Sequence, residues 1–286
     1  MNQFQMNEHE KIIIRKASGK EEYFSFQKLK NSLINSNSTE DEANRLIEIL
    51  KPQLFQGIST KKIYSMAFRL LKKSSSTNAS RYHLKQGIME LGPSGFAFEK
   101  FISELFMTQG FSTETGRILQ GKCVTHEIDV ICKKDDLIML VECKYKNIGG
   151  SSVDVKVPLY IHSRFQDLLD NHLLVPPLKR FKGWIATNSR FTEDASCYAE
   201  CQKIELLGWD IPYGNSLKDQ IGRTGLYPLT CLSSLTIIEK KKFLTIGFVL
   251  VSEVIENEKL LRKMGISETR ITAIIAEGKK IIQINP

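Results

Sequence analysis

The 286 residues contain no Cys-x2-Cys pair, no P-loop and no apolar run long enough to cross a bilayer. Each absence excludes a class of protein. Without paired cysteines there is no zinc ribbon. Without a P-loop, nothing points to ATP hydrolysis driving a motor. The longest apolar run, Phe243–Val251, falls well short of the roughly 20 residues a spanning helix needs. No secretory leader is visible, so a cytoplasmic protein with no membrane partner is expected. The six cysteines fall mostly inside strand and helix patterns, which predicts buried, reduced thiols and no disulfide framework. Cys197 and Cys201 share a helix face, but no neighbouring histidine completes a metal site.

What is present is basic and globular. Net charge is +8, the pI is about 9.1, and 42% of residues are hydrophobic, enough for real cores in two or three domains. A surplus of cations suits a polyanionic partner. The local clusters Lys179-Arg180-x-Lys182, Lys240-Lys241-Lys242 and Lys279-Lys280 are where it concentrates.

The most chemically informative residues are Asp129 and the run Val141-Glu142-Cys143-Lys144. They lie in two apolar, β-rich stretches, Glu127–Ile131 and Leu137–Lys144, separated by a polar segment, Cys132–Asp136, that reads as a hairpin turn. Alternate strand residues share a face, so Glu142 and Lys144 point the same way, about 6.5 Å apart along the strand. A paired neighbour can bring Asp129 beside them. Two carboxylates then hold a hard divalent cation, with an ammonium alongside to orient or activate water or to neutralise developing charge. That is a constellation for phosphodiester hydrolysis, although an Asp…Glu-x-Lys pattern alone is weak and charged strand ends are common. Upstream, Phe98, Phe101, Ile102, Leu105 and Phe106 follow a helical rhythm with Glu99 at the border of the stripe.

Residues from about 94 to 210 resemble the Mrr-like restriction endonucleases of the PD-(D/E)xK superfamily. The resemblance is carried by Gly95-Phe96-Ala97-Phe98-Glu99, Glu127-Ile128-Asp129-Val130-Ile131, Glu142-Cys143-Lys144, and the stretch Gly183–Thr192 followed by Ala195, Tyr198 and Ala199. It implies a mixed-sheet α/β core and a Mg2+- or Mn2+-dependent deoxyribonuclease. Asp129 and Glu142 would be the metal ligands, Lys144 the catalytic lysine and Glu99 a supporting carboxylate. His126 and Glu127 replace the glycine-rich lead-in often found before the aspartate, and for His126 a structural hydrogen bond is expected. Lys156 and Arg164, on the following amphipathic stretch, could reach a DNA backbone or simply face solvent. His162 and His172 are isolated and read as surface or hydrogen-bonded residues.

The chain before residue 94 has a different texture. Ile12–Phe24 reads as two short strands around a Ser-Gly turn. Four helices follow: from Phe26, from Thr39 with Glu42 completing a capping box, from Ser59, and from about Ala79 to Leu91. From Ile12 to Leu91 this segment resembles the ATP-cone, the nucleotide-sensing module of ribonucleotide reductases and of their transcriptional repressor. The carriers are Ile14–Gly19, Phe26-x-Lys28-Leu29, Gly57-Ile58-Ser59-Thr60-x-x-Ile63 and Ala79-Ser80-Arg81-Tyr82-x-Leu84-Lys85. The resemblance implies ATP or dATP as an allosteric ligand, with Lys16 and Lys28 on phosphate and Glu22, Ser25, Thr60, Tyr82 and Lys85 reading or flanking the nucleotide. Ala17 stands where many cones have arginine. The chain is too short for a reductase barrel and lacks the repressor's zinc ribbon.

Beyond about residue 211, short helices with Gly-apolar hairpins vaguely resemble helix-hairpin-helix DNA-backbone binders. A packing or oligomerisation module reads equally well. The expectation is therefore an α+β chain of three units: an α-rich ATP-cone at 1–92, a restriction-endonuclease-like domain at 93–211 and a helical domain at 212–286. Its expected activity is divalent-metal-dependent DNA cleavage governed by an adenine nucleotide, in a homo-oligomer. The alternative is a non-catalytic, nucleotide-responsive DNA-binding regulator or scaffold.

Overall fold

The computed structural model describes residues 12–36, 38–171 and 180–283. His172, Lys179 and the Pro176-Pro177 part of the expected loop lie outside them.

The N-terminal hairpin forms as its apolar alternation and Ser-Gly turn require: β1 (Ile13–Arg15) pairs antiparallel with β2 (Glu21–Tyr23). Helix α1 (Phe26–Ile34) is capped by Ser25, and α2 (Glu40–Leu50) by the Thr39/Glu42 capping box. A third strand, β3 (Ile58–Ser59), joins β1 in parallel, and Ser59 then caps α3 (Thr60–Ser74). The helix expected over 79–91 is two helices, α4 (Ser76–Tyr82) and α5 (Leu84–Met89), divided at His83. This division marks a boundary between cores. Leu29, Leu33, Leu46, Ile47, Leu50, Ile63, Leu71 and Ala79 pack together, whereas Leu84, Ile88 and Leu91 join the core of the rest of the chain.

That second core is built on a five-stranded sheet of order β10-β8-β6-β5-β4. Helix α6 (Phe96–Met107) leads into β4 (Ser112–Gln120), β5 (Thr125–Lys134) and β6 (Leu137–Cys143), an antiparallel meander. The polar segment expected to be a five-residue turn is mostly strand. Cys132 is fully buried in β5, and only Asp135-Asp136 turns, with Asp135 at φ 52. After β7 (Ser152–Val153) and α7 (Lys156–Leu169), β8 (Arg180–Ala186) lies parallel to β6. Then come β9 (Arg190–Phe191), paired with β7, α8 (Glu193–Cys201) and β10 (Glu205–Leu207), parallel to β8. One sheet face, through Val130, Val141 and Cys143, packs on Phe98, Phe101 and Ile102 of α6. The other, through Ile131, Leu140 and Ile185, packs on Ile161 and Phe165 of α7 and Ala199 of α8. The result is a mixed α/β sandwich, a five-stranded sheet with helices on both faces.

The C-terminal region is helical, as expected: α9 (Leu217–Thr224), α10 (Ile237–Thr245), α11 (Val251–Ile255), α12 (Glu258–Lys263) and α13 (Glu268–Ile282). Gly265, at φ 78, makes the sharp turn between α12 and α13. Phe243, Val254, Leu261 and Ile274 share the core that covers α6. All six cysteines are free, but only Cys132, Cys143 and Cys231 are buried; Cys123, Cys197 and Cys201 are exposed. No helix among the described residues is long and apolar enough to cross a membrane.

One carboxylate ties the ends of the chain together. Glu277 on α13, 6% exposed, accepts hydrogen bonds from Ser80 Oγ on α4 and from the Ser233 and Ser234 N–H groups. Burial raises its pKa, but the hydrogen bonds from Ser234, Ser80 and Ser233 prevail and hold it below the ordinary 4.5. Glu277→Ala should cost about 3 kcal/mol in urea unfolding near neutrality. A depressed folded pKa contributes stability above the unfolded value that is lost as pH falls through the folded one. The difference between the proteins should therefore shrink when unfolding is repeated below pH 4.5. An undiminished difference in acid would count against this role for the carboxylate.

Candidate active site

The β5–β6 pairing places Val130 opposite Val141. Continued by one residue, the same register sets Asp129 opposite Glu142, so both point to the α7 face, and Lys144 follows two residues on. The sequence-predicted trio is therefore gathered at one end of one sheet face. Asp129 Oδ2 accepts the Cys143 N–H at 2.6 Å. Lys144 Nζ lies 2.5 Å from Glu142 Oε1. Glu99 sits across the sheet end on α6, its carboxylate folded back over Gly95, where an added Cβ would lie 2.9 Å from Oε1.

Glu142 is 3% exposed, and a charge so buried is costly unless paired. Its second oxygen is held by Arg164 of α7, Nη1 to Oε2 at 2.6 Å. The same guanidinium donates to the Glu127 carbonyl at 3.1 Å and to the Tyr160 hydroxyl at 2.9 Å. Arg164 is thus tied to the site carboxylate, a contact that sequence reasoning missed. No local signal could reveal it, because the partners are 22 residues apart on different elements. Lys156, its companion on α7, donates its backbone N–H to Asp154 Oδ1 at 3.0 Å.

Burial, and then the charge of Glu142, push the Asp129 carboxyl up to about 6. Burial, and then the charges of Asp129, Glu127 and Glu142, push Glu99 up to about 7. Carboxylates crowded in this way resist ionising together, and a divalent cation relieves that repulsion. The donors present, Asp129 and Glu142 oxygens, are of the hard type that Mg2+ and Mn2+ take. Among the described residues, no cluster of three or more His, Cys, Asp or Glu side chains is arranged to hold a metal. Two carboxylates with water would be a partial, Mg2+-like site rather than a full protein cage.

A second feature absent from the sequence reading fixes the backbone of the lysine. Lys144 N–H bonds the Ala186 carbonyl at 2.8 Å, and Thr187 Oγ1 donates to the Lys144 carbonyl at 2.6 Å. The Asn188 side chain bonds both the N–H and the carbonyl of Lys146, each at 2.8 Å. The signal was there in retrospect: Thr187-Asn188-Ser189 is a polar run directly after an apolar strand, and all three residues are buried.

The expected nucleotide residues divide between two adjoining clefts. Lys16, Thr60 and Lys85 line one of about 490 Å3; Lys28, Tyr82 and Lys85 line another of about 900 Å3. Glu22 pairs with Lys16 at 2.6 Å and Ser25 is spent on capping α1. The Tyr82 ring stacks on Tyr64 at 5.1 Å, and burial pushes its hydroxyl up to about 12. Lys85 reaches the Asn188 carbonyl at 2.7 Å and lies 4.2 Å over the Trp209 ring; burial holds its pKa down at about 8. His126 makes the expected hydrogen bond, to Asp167 at 2.7 Å, and His162, one of the two isolated histidines, bonds Tyr198 at 2.9 Å.

With this geometry in place, comparison with known proteins defines the class. The restriction endonuclease family of Mrr catalytic type matches residues 92–210, so the central region is a restriction-endonuclease-like domain. The AF1548-like C-terminal family matches residues 227–282. An uncharacterized protein of Archaeoglobus fulgidus is 35% identical over 185 residues, covering 63% of this chain and 99% of the relative. The crystal structure of AF1548, a protein of unknown function, aligns with a TM-score of 0.54 and 32% identity, over 66% of this chain and 98% of that one. The chain belongs to the AF1548-like family. The MspJI restriction endonuclease bound to an oligonucleotide matches at 13% identity and a TM-score of 0.25, over 60% of this chain and 40% of that one, too slight a likeness to bear on this chain.

Removing Arg164 would leave a buried carboxylate with a single partner. Arg164→Ala should destabilise the protein by roughly 3 kcal/mol, and Arg164→Ala combined with Glu142→Gln should cost less than the two changes summed. Additive losses in denaturant unfolding would show that the two side chains do not act as a pair.

Proposed function

We propose that this protein is a divalent-metal-dependent DNA endonuclease whose N-terminal segment is an ATP-cone that binds ATP or dATP. The observation that carries the nuclease reading is the meeting of Asp129, Glu142 and Lys144 at one end of one sheet face, inside the segment that matches restriction endonucleases. Asp129 and Glu142 would hold Mg2+ or Mn2+, which would supply Lewis acidity to a phosphoryl oxygen and to water. The chain's own groups do the rest. Lys144, 31% exposed, can orient the attacking water and neutralise charge gathering on the phosphate. Thr187 holds its carbonyl, and Asn188 holds the backbone of Lys146 two residues on. Glu99, with its raised pKa, is a proton carrier or a supporting ligand beside the site. In the reaction the water oxygen bonds phosphorus, one ester P–O bond breaks, and the leaving oxygen takes up a proton. The basic balance of +8 suits the DNA substrate.

Asp129→Ala, Lys144→Ala or Glu142→Ala should each abolish cleavage of plasmid or linear DNA in Mg2+ or Mn2+ while leaving folding and DNA binding largely intact; for Glu142→Ala, folding is to be checked first because it is buried. Glu99→Ala should be milder, and EDTA should abolish wild-type cleavage. Wild-type rates in both Asp129→Ala and Lys144→Ala would remove the assignment. The double pairing of Glu142 by Lys144 and Arg164 favours a second reading, a DNA-binding regulator with a nuclease fold but no catalysis. DNA affinity without divalent-dependent nicking would select it.

The nucleotide reading is supported by the hairpin and capped helices of the N-terminal segment and by the lysines around its clefts. In calorimetry, ATP or dATP should bind at micromolar affinity, and Lys16→Ala or Lys28→Ala should weaken it by about 10-fold or more, as expected for loss of a charge-assisted contact. No binding at millimolar nucleotide would leave the cone a structural unit only.

A further inference from the structure

The cleft of about 490 Å3 beside the N-terminal hairpin is not made by the N-terminal segment alone. Its lining includes Lys16 and Lys20 from the hairpin, Lys85 from α5, and Lys146 and Arg190 from the restriction-endonuclease-like domain: five cationic side chains and no carboxylate. Lys16 and Arg190 have acidic partners nearby, Glu22 and Asp210, each at 2.6–2.7 Å. Lys20 adds its charge to that of Lys16 beside Glu22, and Lys146 makes no ion pair among the described residues. The wall opposite the hairpin is the segment that leaves β6, directly after Lys144. Its Gly150, at φ 86, comes so close that an added Cβ would lie 3.0 Å from Ser18 N. Such convergence of cations from separate elements is costly through mutual repulsion unless an anion occupies the space between them. A group with several negative charges spaced a few ångströms apart, as in an oligophosphate, matches several cations better than a single carboxylate does.

We propose that this cleft is an oligophosphate site shared between the N-terminal hairpin and the restriction-endonuclease-like domain, in which Lys146 and Arg190 take part alongside Lys16. The identity of the ligand as an adenine nucleotide rests on the reading above; the site itself does not. The shared site supplies a physical route to the catalytic lysine. Lys85 holds the Asn188 carbonyl, the Asn188 side chain grips both backbone groups of Lys146, and Lys146 lies two residues from Lys144. A ligand that draws Lys85 or Lys146 toward its phosphates bears on the backbone that carries Lys144. Only a ligand that binds one arrangement better than another shifts the balance between them.

The test uses the full chain and three probes, ATP, dATP and inorganic tripolyphosphate, titrated by calorimetry into wild type, Lys16→Ala, Lys146→Ala, Lys146→Gln and Arg190→Ala, with thermal melting to confirm folding. Lys146→Ala, Lys146→Gln and Arg190→Ala should each weaken all bound probes by about 10-fold, on the scale of the Lys16→Ala effect. Any change in DNA-cleavage rate that ATP produces in wild type should need about 10-fold more ATP in Lys146→Ala. Unaltered affinity in the Lys146 and Arg190 variants, with binding lost in Lys16→Ala, overturns the shared site and leaves the nucleotide reading standing. Tripolyphosphate binding that depends on Lys146 and Arg190, without binding of ATP or dATP, supports the shared site and removes the adenine nucleotide. Failure of every probe to bind at millimolar concentration overturns both.

Discussion

The buried carboxylate of Glu142 is the constraint around which the central domain is organised. A fully desolvated carboxylate costs several kcal/mol unless its oxygens are matched. Here each oxygen has a cation, Lys144 on the same strand and Arg164 on α7. This arrangement fixes where α7 lies on the sheet, since the helix must present Arg164 at the end of β6 while Ile161 and Phe165 cover the same sheet face. It also fixes the lysine rotamer.

The polar residues at the ends of strands do two separate jobs. Asp129, Glu142 and Lys144 make up the candidate site, whereas Thr187 and Asn188 hold the main chain that carries it. The second job explains why a polar run is buried immediately after the apolar strand β8: the segment 144–146 leaves the sheet, and beyond the Lys144 N–H, which Ala186 of β8 accepts, its backbone groups find their partners in Thr187 and Asn188. Lys85 then bonds the Asn188 carbonyl from α5, a helix whose apolar side packs with the domain core. The N-terminal segment is therefore joined to the end of the sheet that carries Lys144 by a hydrogen bond as well as by the chain itself.

Much of the architecture was legible in local sequence because local physics decides it. The capping box of Thr39 and Glu42, the Ser-Gly hairpin, the apolar stripe of α6 and the strand alternation around Asp129 and Glu142 each depend on residues a few positions apart. Where the reading failed locally, an unseen tertiary demand was the reason. The segment 132–136 looked like a turn because of its lysines and aspartates, yet Cys132 is drawn into the core and the strand runs on to Lys134. The helix over 79–91 was read as one because its apolar residues continue in phase, yet Ala79 serves one core and Leu84, Ile88 and Leu91 another.

The sequence by itself determined which residue types could do chemistry and which side of their strands they would occupy, because the period of a strand is two residues and the pattern is written in neighbours. It settled Asp129, Glu142 and Lys144 as one group once their strands were taken as adjacent. The tertiary structure alone decided their partners. Arg164 on Glu142, Asn188 on Lys146, Lys85 on Asn188 and Glu277 on Ser80 all join residues far apart in the chain. Nothing in the neighbourhood of either partner encodes such a contact. It follows from which helices cover which sheet face, and that is a property of the packed core rather than of any stretch of sequence.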